Sequence, residues 1–146
     1  MIKKKLNYLT ILLVIILILS GGYNLYQYRK IRSINKELNY VVYHNLQNFA
    51  SKGGNIEDDI FYEEQFASIV SANDAYIALS GNHGIPQEEW AYSLEGLLLT
   101  IKYLMYNDKE KFNDVFSRSE VCELMFKIAD DFEDRDSINE VYKLLN

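Results

Sequence analysis

The chain contains few of the residues that cross-link a fold or bind metal ions. Its 146 residues include one cysteine, Cys122, so no intramolecular disulfide can form. Cys122 also lies far from the amino terminus, which excludes lipoprotein-type acylation, and its apolar neighbours predict a buried thiol. The two histidines, His44 and His83, are too far apart in sequence to form the i, i+4 pair of a helical metal site. A folded domain must therefore be stabilised by its apolar core alone.

Motifs for catalysis and cofactor binding are also missing. The chain has no HExxH sequence, no phosphate-binding glycine loop, no nucleophile elbow and no Ser-Xaa-Xaa-Lys. The acidic run 130–136 lacks the glycine and the final glutamate of a calcium-binding EF-hand. The pairs Glu63–Glu64 and Glu88–Glu89 would point about 100° apart on a helix, so neither pair can converge on one bond. We predict that the protein is not an enzyme and has no catalytic residue, metal ligand or cofactor.

One long uncharged segment, residues 6–28, is the main feature that the chain does have. It begins at Leu6, and as a helix it would extend about 34 Å, enough to cross a hydrocarbon core of roughly 30 Å. Within it nine consecutive residues make every face of the helix apolar: Ile11, Leu12, Leu13, Val14, Ile15, Ile16, Leu17, Ile18 and Leu19. A chain of this length has no interior that could enclose such a helix and still form a second core. We therefore predict a single transmembrane helix in contact with the lipid bilayer.

Basic and aromatic residues flank this segment. They are Lys3, Lys4 and Lys5 before it, Arg29, Lys30 and Arg32 after it, and Tyr23, Tyr26 and Tyr28 at its carboxyl end. Tyrosine suits the membrane interface, where the ring is buried and the hydroxyl stays in water. A cleaved signal peptide is the alternative, with Ser20 and Gly22 as the small residues before a cut after Gly22. We favour a retained signal-anchor, because the uncharged segment continues for six residues beyond that site.

Positive charges alone do not decide the topology, since they are almost equal on the two sides of the segment. A short amino-terminal tail is read as an export signal, and a long domain after it crosses the membrane largely regardless of its charge. We predict an amino terminus inside the cell and an extracytoplasmic carboxyl-terminal domain at the cell membrane. The abundance of isoleucine, asparagine, lysine and tyrosine resembles proteins of AT-rich bacteria, so we expect a bacterial cell envelope.

The rest of the chain is strongly acidic. Residues 1–37 hold seven basic side chains and one acidic side chain, a net charge of +6, whereas residues 38–146 hold eight basic and twenty acidic side chains, a net charge of −12. Such a domain repels phosphate backbones, so we exclude nucleic acid as a partner. It favours a cationic protein partner, although acidic residues also serve simply as a solvated surface. Composition does not indicate whether the chain forms homo-oligomers.

Apolar residues recur at helical spacing along the rest of the chain. The first stripe consists of Ile31, Ile34, Leu38, Val42, Leu46 and Phe49. Further stripes follow it, and no segment alternates over enough residues to predict a strand. We predict an all-α fold with four parts: a cytoplasmic basic tail (1–5), the transmembrane signal-anchor (6–28), a juxtamembrane helix (29–54) and a small, acidic, antiparallel helical bundle (55–146).

Helix boundaries are predicted from capping residues. The glycines of segment 51–54 are expected to end the juxtamembrane helix, and Asn55 to cap the second helix. The third helix is expected to run from Pro86 to Tyr106. Capping boxes predict three further starts, at Asn107, Ser117 and Ser137.

These features favour a function through contact with a protein partner. We predict a non-enzymatic, membrane-anchored interaction or accessory factor, with an immunity or exclusion factor as one candidate setting. The first alternative is a small-ligand sensor, with His83 at the mouth of a pocket lined by tyrosines chosen from Tyr40, Tyr43, Tyr62, Tyr76, Tyr92, Tyr103 and Tyr106. The others are a secreted helical protein, if the leader is cleaved, and a small hydrolase that uses dispersed carboxylates.

Overall fold

A computed structural model describes residues 2–80 and 93–145, apart from the side chains of residues 2–7 and 9. Within these residues every regular element is a helix, which confirms the all-α prediction for this part of the chain. The helices are α1 (Ile2–Lys52), α2 (Asp59–Ser80), α3 (Leu94–Asn107), α4 (Lys109–Phe116), α5 (Ser119–Asp130) and α6 (Arg135–Leu145).

The chain divides into two compact units, residues 1–36 and residues 37–146. Helix α1 contributes to both, because it runs without interruption from Ile2 to Lys52. In the first unit every described side chain is exposed except that of Gln27, which is half-buried. The predicted boundaries after residues 28 and 54 differ from this division and stay predictions.

One apolar core fills the second unit. It is built from the last part of α1 and from all five later helices, with α2 packed on α3, α3 on α4 and α6, and α5 on α4 and α6. The largest side chains that are fully buried are Phe49, Phe112, Phe116, Leu46, Ile69, Leu94, Leu97, Leu98, Ile101, Met105, Met125 and Ile128. Of the first predicted stripe, Ile31 and Ile34 are exposed, and burial begins at Leu38.

Two glycines end α1 and turn the chain into α2. Gly53 and Gly54 both have positive φ angles, of 58° and 67°, which favour glycine. A Cβ atom on Gly54 would lie 2.7 Å from the carbonyl carbon of Phe116, so α4 packs directly on the turn. The buried Gln65 closes it: its Oε1 accepts a hydrogen bond from the Gly54 N–H (3.1 Å), and its Nε2 donates to the Asn55 carbonyl (2.9 Å). The predicted end of the helix within 51–54 is confirmed.

The predicted cap at Asn55 is wrong by three residues. Asn55 Oδ1 accepts hydrogen bonds from the N–H groups of Glu57 and Asp58, which forms a turn before the helix. Helix α2 begins at Asp59, and Asp58 Oδ1 accepts from the N–H groups of Ile60 and Phe61. An ionised carboxylate is a stronger acceptor than an amide, so Asp58 is the better cap.

The three predicted capping boxes are also wrong. Asp108, one residue after Asn107, caps α4 and accepts from the Lys111 N–H. Ser117 ends α4, and α5 begins at Ser119 without a side-chain cap. Asp134 caps α6, because its carboxylate accepts from both the N–H and the hydroxyl of Ser137. An aspartate supplies the cap in two of the three cases, because an ionised carboxylate accepts hydrogen bonds more strongly than an amide or a hydroxyl does.

The predicted third helix begins later than expected. Ser93 has extended backbone (φ −116°, ψ 147°), and its Oγ accepts a hydrogen bond from the Gly96 N–H (3.1 Å), so α3 starts at Leu94. A helix continuous from Pro86 is therefore wrong at Ser93. The segment 81–92, which includes the predicted start, lies outside the described residues.

Candidate functional site

The nine-residue apolar run predicted to contact lipid is exposed in the structure. From Ile11 to Leu19 the exposed fraction of each side chain runs from 48% (Ile15) to 75% (Leu17). Within the described chain, α1 from Thr10 onward is the one helix long and apolar enough to span a membrane, and none of its most apolar stretch is buried. The helix forms because its backbone hydrogen bonds are local, and no other element of the first unit covers its side chains.

The predicted flanks lie along the same helix. Tyr23, Tyr26 and Tyr28 are exposed, and Gln27 Nε2 donates a hydrogen bond to the Tyr23 hydroxyl (2.6 Å). The basic residues after the segment, Arg29, Lys30 and Arg32, are exposed and form no ion pair with any described residue. The side chains of Leu6, Lys3, Lys4 and Lys5 lie outside the described residues. The interfacial roles of all these residues stay predictions.

The side chains with catalytic potential occupy structural positions. Cys122 is half-buried, its Sγ donates to the Phe116 carbonyl (3.4 Å), and burial raises the pKa of the thiol, which makes it a poor nucleophile. Glu64 pairs with Lys52 (2.6 Å), while Glu63 faces solvent. In residues 2–80 and 93–145 no three histidine, cysteine, aspartate or glutamate side chains cluster as metal ligands do. His83 and Glu88–Glu89 lie outside this range.

The second unit carries an open groove of about 710 Å³, which we call the aromatic groove. Three segments distant in sequence line it: 39–43 of α1, 76–80 of α2, and 129–133 at the turn between α5 and α6. The lining residues are Asn39, Tyr40, Tyr43, Tyr76, Leu79, Ser80, Ala129, Asp130, Asp131, Phe132 and Glu133. The groove therefore exists only because the helices of the second unit pack on one core.

Aromatic rings form one part of this lining. The rings of Tyr76 and Phe132 meet edge to face, with centroids 6.2 Å apart and an interplanar angle of 90°. Tyr40 stacks on His44 with a centroid distance of 5.8 Å. Burial, followed by the nearby carboxylates of Glu133 and Glu95, raises the pKa of the Tyr76 hydroxyl. The hydroxyl therefore stays neutral at physiological pH.

Carboxylates form the other part. Asp130 Oδ1 accepts a long hydrogen bond from Gln47 Nε2 (3.4 Å), and Asp131 Oδ1 accepts from the Glu133 N–H (3.0 Å). No described lysine or arginine forms an ion pair with Asp130, Asp131 or Glu133. The lining itself contains no cationic side chain. The groove thus combines apolar rings with three carboxylates that form no ion pair with the lysines and arginines of the described residues.

The structure brings together only part of the predicted tyrosine set. Tyr40, Tyr43 and Tyr76 line the aromatic groove, whereas the buried Tyr62 donates its hydroxyl proton to the Met105 carbonyl within the core. Tyr103 and Tyr106 line a separate apolar groove of about 310 Å³ between α2 and α3, and Tyr92 lies outside the described residues. The sequence showed the acidic run 130–136 but not that Asp130, Asp131 and Glu133, here called the acidic rim, lie beside the tyrosines. About 90 positions separate Tyr40 from Asp130, and no local pattern joins them.

Comparison of the chain with protein-family models, with curated proteins and with solved structures finds no match.

Proposed function

We propose that this protein is a single-pass membrane protein whose acidic helical body binds a protein partner outside the cytoplasm. Residues 6–28 are the proposed span. One observation carries the proposal: the nine apolar residues of 11–19 are exposed around the whole circumference of a helix. In a water-soluble protein a helix of this kind would be surrounded by other elements.

The energetic argument is simple. Removing a large aliphatic side chain from water contributes about 1.5–3 kcal/mol, so nine half-exposed side chains correspond to something on the order of 10 kcal/mol. A whole domain is stable by only about 5–15 kcal/mol, so exposure of this segment to water would cost as much as folding gains. A bilayer removes the cost, and the backbone groups are already satisfied within the helix.

Packing of the body supports an antiparallel bundle as its arrangement. Consecutive helices pack on each other through short turns, as α3, α4, α5 and α6 do, and such connections join antiparallel neighbours. Residues 37–146 carry twenty-one acidic and eight basic side chains. This excess of negative charge attracts cationic partners and repels nucleic acid.

Cell fractionation tests the membrane assignment. Full-length protein expressed in bacteria should pellet with membranes and resist extraction by alkaline carbonate. Protease added to spheroplasts should digest 37–146 if the body lies outside the cytoplasm. Recovery of soluble, uncut protein would contradict the assignment. A mature chain that begins at Tyr23 would replace the anchor by a cleaved signal peptide.

Affinity capture tests the partner. Full-length protein solubilised from native membranes, with an affinity tag at its carboxyl terminus, should retain a defined membrane or envelope protein. The matched control is the same protein lacking residues 37–146. If the two baits retain the same proteins, the body has no partner and this part of the proposal is wrong.

The aromatic groove favours a second candidate function, a sensor that binds a small molecule. The groove is lined by three tyrosines, which is the pattern expected of a ligand pocket in such a sensor. Its openness to solvent favours a larger occupant, so the protein partner remains the first candidate. A rise in unfolding temperature with a small cation such as spermidine would favour the sensor.

A further inference from the structure

We propose that the aromatic groove is the docking site for an arginine-bearing segment of the partner protein. This inference rests on the proposed function, because it names the surface and the chemistry by which the body holds its partner. The occupant is an extended or helical segment with an arginine side chain next to apolar side chains.

The apolar part of the groove supplies a contact surface from which a partner can displace water at little cost. Leu79 and Phe132 are half-buried, and Tyr40 and Tyr43 are 65% and 40% exposed, so their rings are accessible to a partner. Tyrosine is enriched among the residues that dominate the binding energy of interfaces, because it offers a large, rigid, amphipathic surface. Such a surface stabilises the apolar side chains of the occupant.

The charges on the rim select the kind of occupant. Asp130, Asp131 and Glu133 line the groove. Among the described residues, no lysine or arginine forms an ion pair with any of them. A partner with carboxylates would be repelled, and a neutral partner would leave these charges to be desolvated without compensation. A cation offsets that cost.

Arginine fits better than lysine. Its planar guanidinium stacks on an aromatic ring and at the same time forms two parallel hydrogen bonds with a carboxylate. The groove offers both features within a few residues, with Tyr76 and Phe132 next to Asp131 and Glu133. A lysine would satisfy the charge but would lose the stacked contact.

Two other open grooves, lined by described residues of the second unit, lack this combination. The groove between α2 and α3 is apolar and has Lys102 in its lining. The groove between α5 and α6 contains Lys127 and Lys143 beside three glutamates, so most of its negative charge is compensated. Only the aromatic groove has rings and carboxylates without a cation, among the grooves found in the described residues.

A binding assay tests the chemistry on full-length protein in phospholipid nanodiscs. The probe is a fluorescein-labelled ten-residue peptide in which arginine alternates with leucine and serine, measured by fluorescence anisotropy. A peptide with citrulline in place of arginine keeps the shape and removes the charge. We expect the arginine peptide to bind about tenfold more tightly and to weaken as salt is added. Equal affinity of the two peptides, or no binding, overturns the proposal.

Substitutions on the rim locate the binding. Asp130→Asn together with Glu133→Gln should weaken the arginine peptide about tenfold, because both carboxylates lose the charge that pairs with arginine. The matched control is Glu120→Gln together with Glu123→Gln, which removes the same charge from the groove between α5 and α6. Equal weakening in both variants overturns the site. Binding of free N-acetylarginine amide as tight as that of the peptide also overturns the proposal, because the groove is then a pocket for a small cation.

Photo-crosslinking in cells separates this proposal from the proposed function. The crosslinker p-benzoylphenylalanine is placed at position 43, in the groove, or at position 106, outside it. A crosslink from position 43 to a partner peptide that contains arginine supports docking in the groove. A partner crosslinked from position 106 but not from position 43 leaves the proposed function in place and overturns the groove. No crosslink from either position overturns the groove, and the affinity capture described above then decides the proposed function.

Discussion

The two units of this chain differ in the exposure of their large aliphatic side chains. Ile15 and Leu17 in the first unit are 48% and 75% exposed, whereas Leu46, on the same helix but in the second unit, is fully buried. Both regions are helical, so helix formation does not depend on burial. What differs is the pattern: the first region is apolar on every face, and the second is apolar on one stripe. A stripe packs on a protein core, whereas a helix that is apolar on every face is typical of a lipid environment.

Charge separates the units in the same way. Residues 1–36 contain seven basic and no acidic side chains, and residues 37–146 contain eight basic and twenty-one acidic ones. Basic residues at the ends of an apolar helix interact with anionic lipid headgroups, whereas an acidic surface stays in solution. The comparison predicts that changes in one unit leave the property of the other intact. The core variant below tests this directly, and three further experiments examine each unit by itself.

The largest effect is expected from charges in the middle of the apolar run. Ile15→Arg together with Leu17→Arg should cost about 5–7 kcal/mol of membrane insertion, because each arginine near the bilayer centre costs about 2.5–3.5 kcal/mol. Carbonate extraction should move the variant into the soluble fraction. Gln27→Arg, near the end of the segment, is the control and should stay in the pellet because its side chain reaches the interface. If both variants stay in the pellet, the run is not the anchor.

The next effect concerns the core of the second unit. Phe112 is fully buried, and its ring centroid lies 5.1–6.1 Å from those of Phe116, Tyr62 and Phe49. Phe112→Ala should lower the free energy of unfolding of the body by about 3–5 kcal/mol through lost burial and the cavity left behind. Urea titration of the full chain in detergent, followed by circular dichroism, measures it, and carbonate extraction should be unchanged. Phe61→Ala, at an exposed ring, should cost about 1 kcal/mol or less. Equal losses would contradict the described core.

A pair of neighbouring glycines sharpens the comparison within the second unit. Gly54→Ala introduces both a left-handed non-glycine residue and a Cβ 2.7 Å from the Phe116 backbone, for a combined loss of about 2–4 kcal/mol. Gly53→Ala has a similar φ but no atom within 4 Å of its new Cβ, so only the conformational cost of about 1–2 kcal/mol remains. The same urea titration compares them. A larger loss for Gly53→Ala would mean that α4 does not pack on the turn.

The smallest effect is a pH-dependent cap. Hydrogen bonds from the hydroxyl and N–H of Ser137 hold the pKa of Asp134 below its usual value of 3.8. The ionised Asp134 cap therefore contributes its full stabilisation to the folded state at pH values above 3.8. This stabilisation is lost as the pH falls through the lower pKa that Asp134 has in the folded state. Asp134→Ala should cost about 1 kcal/mol at pH 7 and progressively less below pH 3.8. Asp136→Ala, in the first turn of α6, should cost only about 0.3 kcal/mol. A pH-independent difference between wild type and Asp134→Ala would exclude a role for the charge.

Predictions from the sequence succeeded best where the interacting residues are close in sequence and failed where they are distant in sequence. The stripe of α1 from Leu38 onward and the glycine turn at 53–54 were predictable, because spacing and backbone preference are local properties. The caps were missed by one to three residues, because several candidate acceptors lie side by side and only the geometry selects Asp58, Asp108 or Asp134.

Buried polar groups and the groove were less accessible to prediction. Nothing in the sequence marks Gln65 as fully buried, since its partners Gly54 and Asn55 lie eleven and ten residues away. The aromatic groove draws on residues from three helices and from the turn after α5, and only its tyrosines were candidates for a ligand pocket beforehand.

The sequence by itself determined that the chain is helical, that one segment is apolar on every face, and that basic and acidic residues are separated along it. These properties depend on residues within one or two helical turns of each other. Only the tertiary structure decided that Tyr40, Tyr43 and Tyr76 meet Asp130, Asp131 and Glu133, whereas Tyr62 enters the core. Such contacts depend on how whole helices pack around the buried phenylalanines. Packing between segments that are distant in sequence produces no periodic pattern from which it could be predicted.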